Sequence, residues 1–190
     1  MRRVIEFRGA GPAEFTERLD TVIDIYTAAM NPPPEQIAGR KTIMRNHGTY
    51  PHFQCYFAEL RDSSGETPPQ TVGFAYGFRG TTGQWWHDVV IRALADHAGE
   101  QAAHAWMGHA FELAEIHVHP DHQGKGVGRA MIRTLCAGRA ERSAVLSTHD
   151  RPTAARHLYA SMGFADLLTR FVFPGGHEEY AIVGRPLPLG

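Results

Sequence analysis

Residues 111–131 read FELAEIHVHPDHQGKGVGRAM, and the parsing of this stretch decides the fold. "FELAEIHVHP" (111–120) has the alternation of a strand. Val127, Met131, Leu135 and Cys136 fall on one side of a helix that the spacing predicts over about 126–140. Between the two stand Gly124, Gly126 and Gly128, three glycines in five positions. A glycine costs a helix roughly 0.5–1 kcal/mol relative to alanine. A helix that opens on glycines is therefore expected to bring its backbone close to something. A strand, a glycine turn and a helix N-terminus together make an anion site, because the orphan N–H groups and the helix dipole point the same way.

Two familiar phosphate loops fail on this stretch. The Walker pattern needs Ser or Thr after its Gly-Lys, and Gly126 stands there; the dinucleotide pattern needs glycine where Arg129 stands. What remains is Gln123-x-x-Gly126-x-Gly128. This resembles the Q/R-x-x-G-x-G/A motif of the GNAT superfamily of N-acetyltransferases. A second block, "AARHLYASMGF", is similar to that family's A-x-x-L-Y-x-x-x-G-F at Ala155, Leu158, Tyr159, Gly163 and Phe164. The detailed resemblance covers about residues 111–164, with the strand and helix order extending it loosely over the rest.

The resemblance implies acetyl-CoA as co-substrate. Gln123, Gly124, Lys125, Gly126, Val127, Gly128 and Arg129 would hold its pyrophosphate, and a Cβ at Gly126 or Gly128 would keep the phosphates away. The strand before the loop would splay from its neighbour, so that Ile116 and Val118 offer backbone N–H groups to the thioester carbonyl and pantetheine arm. Tyr159 would protonate the departing thiolate, since a phenol near pKa ~10 suits a thiolate of conjugate pKa ~8.5. One departure stands out. Pro152 occupies the place of an asparagine that touches the cofactor in many family members, so that contact is missing or replaced by Asp150 or Arg151.

The general base is open among three residues. Glu112, eleven residues before Gln123, matches a glutamate of several family members and ranks first, Glu115 second and His117 third. The separation of Glu112 and Glu115 puts them on opposite strand faces unless a bulge intervenes. His117, His119 and His122 also invite a metal reading, but the trio overlaps the glycine loop and no metal is expected.

Working outward, "RVIEF" (3–7) reads as a strand followed by one long helix with Phe15, Leu19, Val22, Ile23 and Tyr26 on a single face. "NPPPEQ" (31–36) stops it and opens another helix running to about Asn46. "HFQCYFAEL" (52–60) and "TVGFAYGFRG" (71–80) read as strands joined by the polar turn "RDSSGETPPQ". In the second, Val72, Phe74, Tyr76 and Phe78 alternate with Gly73, Ala75 and Gly77, so a helix or backbone is expected against the bare face. Residues 81–110 read as two short helices inserted between strands, broken near Gly99. They carry Trp85, Trp86 and Trp106, expected to attach the insertion to the sheet. "SAVLSTH" (143–149) is a strand, 153–164 a helix capped at Gly163, and "DLLTRFVF" and "EEYAIVGRPL" are strands around "PGGH".

The expectation is an α/β protein of α+β type: a GNAT-like mixed, mostly antiparallel sheet with a splayed strand pair, flanked by helices, as one domain over 1–190. A net charge of −1 argues against nucleic-acid binding, and no apolar run reaches the ~18 residues that span a bilayer. Cys55 and Cys136 lie in apolar runs and read as reduced, buried thiols. The activity expected is direct acetyl transfer to a primary amine of a small molecule by a cytoplasmic monomer or homodimer. A non-catalytic CoA-binding module and a metal-dependent hydrolase are the alternatives.

Overall fold

The computed structural model describes residues 3–62 and 67–190, so the centre of the polar turn expected at 61–70 lies outside the described residues. Its strands are β1 (Arg3–Ala10), β2 (Gln54–Asp62), β3 (Gln70–Arg79), β4 (Ala110–Val118), β5 (Ser143–His149), β6 (Ala165–Val172) and β7 (Glu179–Pro186). They form a seven-stranded sheet in the order β1-β2-β3-β4-β5-β7-β6. Pairing is antiparallel in β1/β2, β2/β3, β5/β7 and β6/β7, and parallel in β4/β5. The sheet is therefore mixed and mostly antiparallel, as expected. By its contacts the chain divides into two compact units, Met1–Phe78 with Ala114–Leu135 and Arg79–Leu113 with Cys136–Gly190.

In the first unit the single long helix expected after β1 is two, α1 (Pro12–Glu17) and α2 (Leu19–Met30). The break falls at Arg18, whose N–H is shared between the carbonyls of Glu14 and Phe15. Its guanidinium reaches away to Glu59 and Thr71 and lies 3.7 Å over the Phe57 ring. The apolar face survives the break: Phe15, Leu19, Val22, Ile23 and Tyr26 are all buried. Asn31, left-handed at φ 47°, ends α2, and α3 (Pro34–His47) starts on the prolines. These helices pack with Phe57, Phe74, Tyr76 and Phe78 in one core cluster. The bare face of β3 receives α6 (Val127–Cys136): a Cβ at Gly73 would stand 3.3 Å from Met131 Cε.

In the second unit α4 (Trp85–Ala98) and α5 (Glu100–Met107) are separated at Gly99, φ 90°. Val90, Leu94, Ala103 and Met107 share a core with Val145, Leu168 and Ile182. Trp86 donates to Ser147 Oγ on β5 at 3.2 Å, and Trp106 packs where a Cβ at Gly184 on β7 would be 3.0 Å away. These two tryptophans hold the helices to the strands as expected, whereas Trp85 is 58% exposed. The helix α7 (Ala154–Ser161) is capped by Thr153, which accepts from Arg156 N at 3.1 Å. Cys55 and Cys136 are both buried and free, and burial pushes the Cys136 thiol up to about 12.

Candidate active site

In the first unit, β4 leads through a 3-10 turn (Pro120–His122) into the glycine loop and then α6. The loop is pinned from within. Gln123 Nε2 donates to the Val118 carbonyl at 2.9 Å, Lys125 Nζ to the Asp121 carbonyl at 2.8 Å, and Ala130 N to the Gly126 carbonyl at 3.0 Å. Gly124 and Gly126 have φ of 71° and 80°, where a side chain is strained. Among the described residues, nothing lies within 4 Å of a Cβ built on either. These two glycines thus have a conformational reason to be there, and the space before them is open. That combination fits a bulky anion approaching the main chain. Lys125 spends a hydrogen bond on the backbone, so it shapes the loop besides adding charge.

Further along the same unit a polar cluster gathers on one face of β4 and β3. Glu115 Oε2 stands 2.5 Å from His117 Nε2, and Arg40 Nη1 from α3 donates to Glu115 Oε1 at 3.2 Å. The two β4 residues are two apart and so share a strand face. The His117 ring meets Tyr26 edge-on at 5.2 Å and Phe74 at 5.4 Å, and His47 Nδ1 lies 2.9 Å from the Tyr76 hydroxyl. Burial alone would raise the Glu115 pKa. The hydrogen bond and charge of His117, with the charges of Arg40 and His47, outweigh burial and hold the carboxyl below its ordinary range. Burial lowers His47 and pushes Tyr76 well above the usual phenol value.

The second unit holds the remaining named residues. Glu112 is 3% exposed, and its Oε1 lies 2.8 Å from His87 Nδ1 at the start of α4. Burial raises its pKa, with the His87 hydrogen bond opposing. The parallel ladder between β4 and β5 runs over Ala110–Glu112 against Ser143–Val145, and among the described residues that pairing ends there. Ile116 and Val118 come later along β4 than its last pair, and both are half-buried. Tyr159 is 8% exposed on α7, its ring 5.8 Å from Phe164. An open cleft of about 890 Å³ borders the start of α7, lined by Pro152, Thr153, Arg156, His157 and Phe164 among others. Asp150 accepts from Arg156 and from the backbone N–H of Arg170 at 2.7 Å. Its carboxylate is therefore engaged in bracing the turn where Pro152 replaces the family asparagine.

Sequence reading missed Arg40, His47, Tyr26 and Tyr76 around Glu115, and His87 beside Glu112. No spacing rule connects them, because they converge from separate elements. Among the described residues no group of three His, Cys, Asp or Glu side chains is placed to hold a metal ion, and no helix is long and apolar enough to cross a membrane.

A strand, an open left-handed glycine loop and a helix thus follow one another in a mixed sheet with one short parallel ladder. The chain belongs to the GNAT acetyltransferase family: residues 54–166 match the acetyltransferase (GNAT) domain. It is 40% identical over 122 residues to the GCN5-like protein acetyltransferase Rv2170 of Mycobacterium tuberculosis. That alignment covers 62% of this chain and 59% of the relative's length. An acetyltransferase from Salmonella typhimurium, solved with its cofactor acetyl-CoA, superposes at a TM-score of 0.60 with 16% identity, over 97% of this chain and 95% of that one. The ribosomal-protein-S18-alanine N-acetyltransferase of Escherichia coli gives 0.61 with 19% identity, over 98% and 96%. At these identities the two structures establish a shared fold.

Proposed function

We propose that this chain is an acetyl-CoA-dependent N-acetyltransferase that moves an acetyl group directly to a primary amine, without an acyl-enzyme. The observation that carries the reading is the loop 123–129: two glycines held left-handed, with open space before them, at the start of α6. In this reading the backbone amides from Gln123 to Arg129 bind the pyrophosphate, and Arg129 and Lys125 add positive charge. The N–H groups of Ile116 and Val118 meet the pantetheine arm and the thioester oxygen, where preorganised donors are worth about 3–4 kcal/mol. Tyr159 gives the departing thiolate its proton. The amine must lose a proton before attack; Glu112, Glu115 and His117 are the residues offered for that step.

The acceptor is a primary amine, and the aromatic side chains of the first helices and of the tryptophan-bearing helices favour a small, partly apolar one. The relative from Mycobacterium tuberculosis is named a protein acetyltransferase, so lysine-containing peptides belong in the same trial. The test is a thiol-release assay with acetyl-CoA across polyamines, aminoglycosides, amino acids and peptides. Amine-dependent CoA release supports the reading. Tight acetyl-CoA binding without release on any amine would leave a CoA-binding module and overturn it.

A further inference from the structure

Resting on that acetyl-transfer reading, we infer that His117 is the general base and that Glu115 is the residue positioning it, because the two are bonded at 2.5 Å on one face of β4. The ring is fixed on three sides, by Glu115 at Nε2 and by the rings of Tyr26 and Phe74. An imidazole whose Nε2–H donates to a carboxylate carries its lone pair on Nδ1, which selects one tautomer for proton abstraction. Glu115 is itself held by Arg40, so both of its oxygens are engaged and it orients rather than attacks. Glu112 is 3% exposed and its carboxyl is taken by His87, which leaves it a structural part in the second unit.

The step balances simply. The ammonium form of the acceptor gives a proton to neutral His117. The freed nitrogen lone pair forms the C–N bond to the thioester carbon, the C–S bond breaks, and the second proton shed by the new amide nitrogen balances the one the departing thiolate takes up. The imidazolium then releases its proton to solvent. Glu115 on β4, Tyr26 on α2 and Phe74 on β3 face His117 directly, while Arg40 and His47 on α3 act on Glu115. Only Glu115 is an anion when His117 is charged, so it stabilises the imidazolium that forms.

The experiment is kcat/KM against pH for wild type, His117→Gln and Glu115→Gln on the best amine, with acetyl-CoA affinity measured by calorimetry. Wild type should show an ascending limb in kcat/KM as the general base loses its proton. His117→Gln should lose activity on the order of 10²–10⁴-fold together with that limb, bind acetyl-CoA as before, and recover part of the rate in imidazole buffer. Glu115→Gln keeps the shape but removes the charge, and should move the limb to lower pH. Should His117→Gln fail to fold, the Glu115→Gln limb decides alone. An active wild type whose limb survives His117→Gln, or stays in place in Glu115→Gln, overturns the assignment. A wild type that turns over no amine instead sinks the acetyl-transfer reading beneath it.

Discussion

Gly80 lies at the end of β3, where its N–H donates to the Ala110 carbonyl at 3.0 Å. A Cβ placed there would stand 2.6 Å from His87 Nδ1 and 2.7 Å from Glu112 Cδ, and closer still to Glu112 Oε1. Neither neighbour has anywhere to go, since both side chains are buried and bonded to one another. The backbone bond to Ala110 also keeps Gly80 from backing off. Gly80→Ala must therefore separate His87 from Glu112, at about 1–3 kcal/mol for polar groups left buried and unpaired. Overpacking adds about 1–3 kcal/mol, for a total loss of about 2–6 kcal/mol. For a chain of this size that lowers the thermal midpoint on the order of 10 °C. Urea unfolding followed by circular dichroism reads it directly. A second arm places Gly80→Ala in a Glu112→Ala background, where the vacated space accepts the methyl and the two penalties stop adding. A loss under about 1 kcal/mol for the single variant, or strict additivity in the double, would refute the account of this contact.

Three further outcomes are expected. Tyr159→Phe should cut turnover on the order of 10²-fold or more while acetyl-CoA affinity stays unchanged; equal loss of both in calorimetry and rate assays would mark Tyr159 as a packing residue instead. Gly126→Ala, at φ 80°, should cost about 1–2 kcal/mol of stability and weaken acetyl-CoA binding by isothermal titration; unchanged binding counts against the loop as the pyrophosphate site. Glu59 is bonded by Arg8 and Arg18. Burial alone would raise its carboxyl, but the two guanidiniums outweigh burial and lower it. A lowered carboxyl stabilises above its ordinary range and loses that contribution as pH falls through it. Wild type should thus weaken below about pH 5, and Glu59→Gln should lose about 2 kcal/mol at pH 7 with a flatter acid limb in pH-dependent melts.

What the sequence made legible is what is written in consecutive residues. The strand at 143–149 occupies the span its apolar run suggests, and the bulky and bare sides of β3 predicted the helix that Met131 brings against Gly73. The glycine loop was legible for the same reason: its residues are contiguous and each type has few reasons to be there. The break at Arg18 was not, because the apolar face runs through it undisturbed and the residue's partner, Glu59, is on a distant strand. The surroundings of Glu115 and Glu112 were hidden likewise. Arg40, His47 and His87 are ordinary helix residues until tertiary packing aims them at a carboxylate.

The two cysteines give the assay an unplanned advantage. A thiol reacts as its thiolate, and burial pushes both groups up, Cys136 to about 12. A chromogenic thiol reagent added to native protein should therefore colour only with liberated CoA. In denaturant the same reagent should find both sulfurs, so one dye reports turnover when the fold is intact and its loss when it is not.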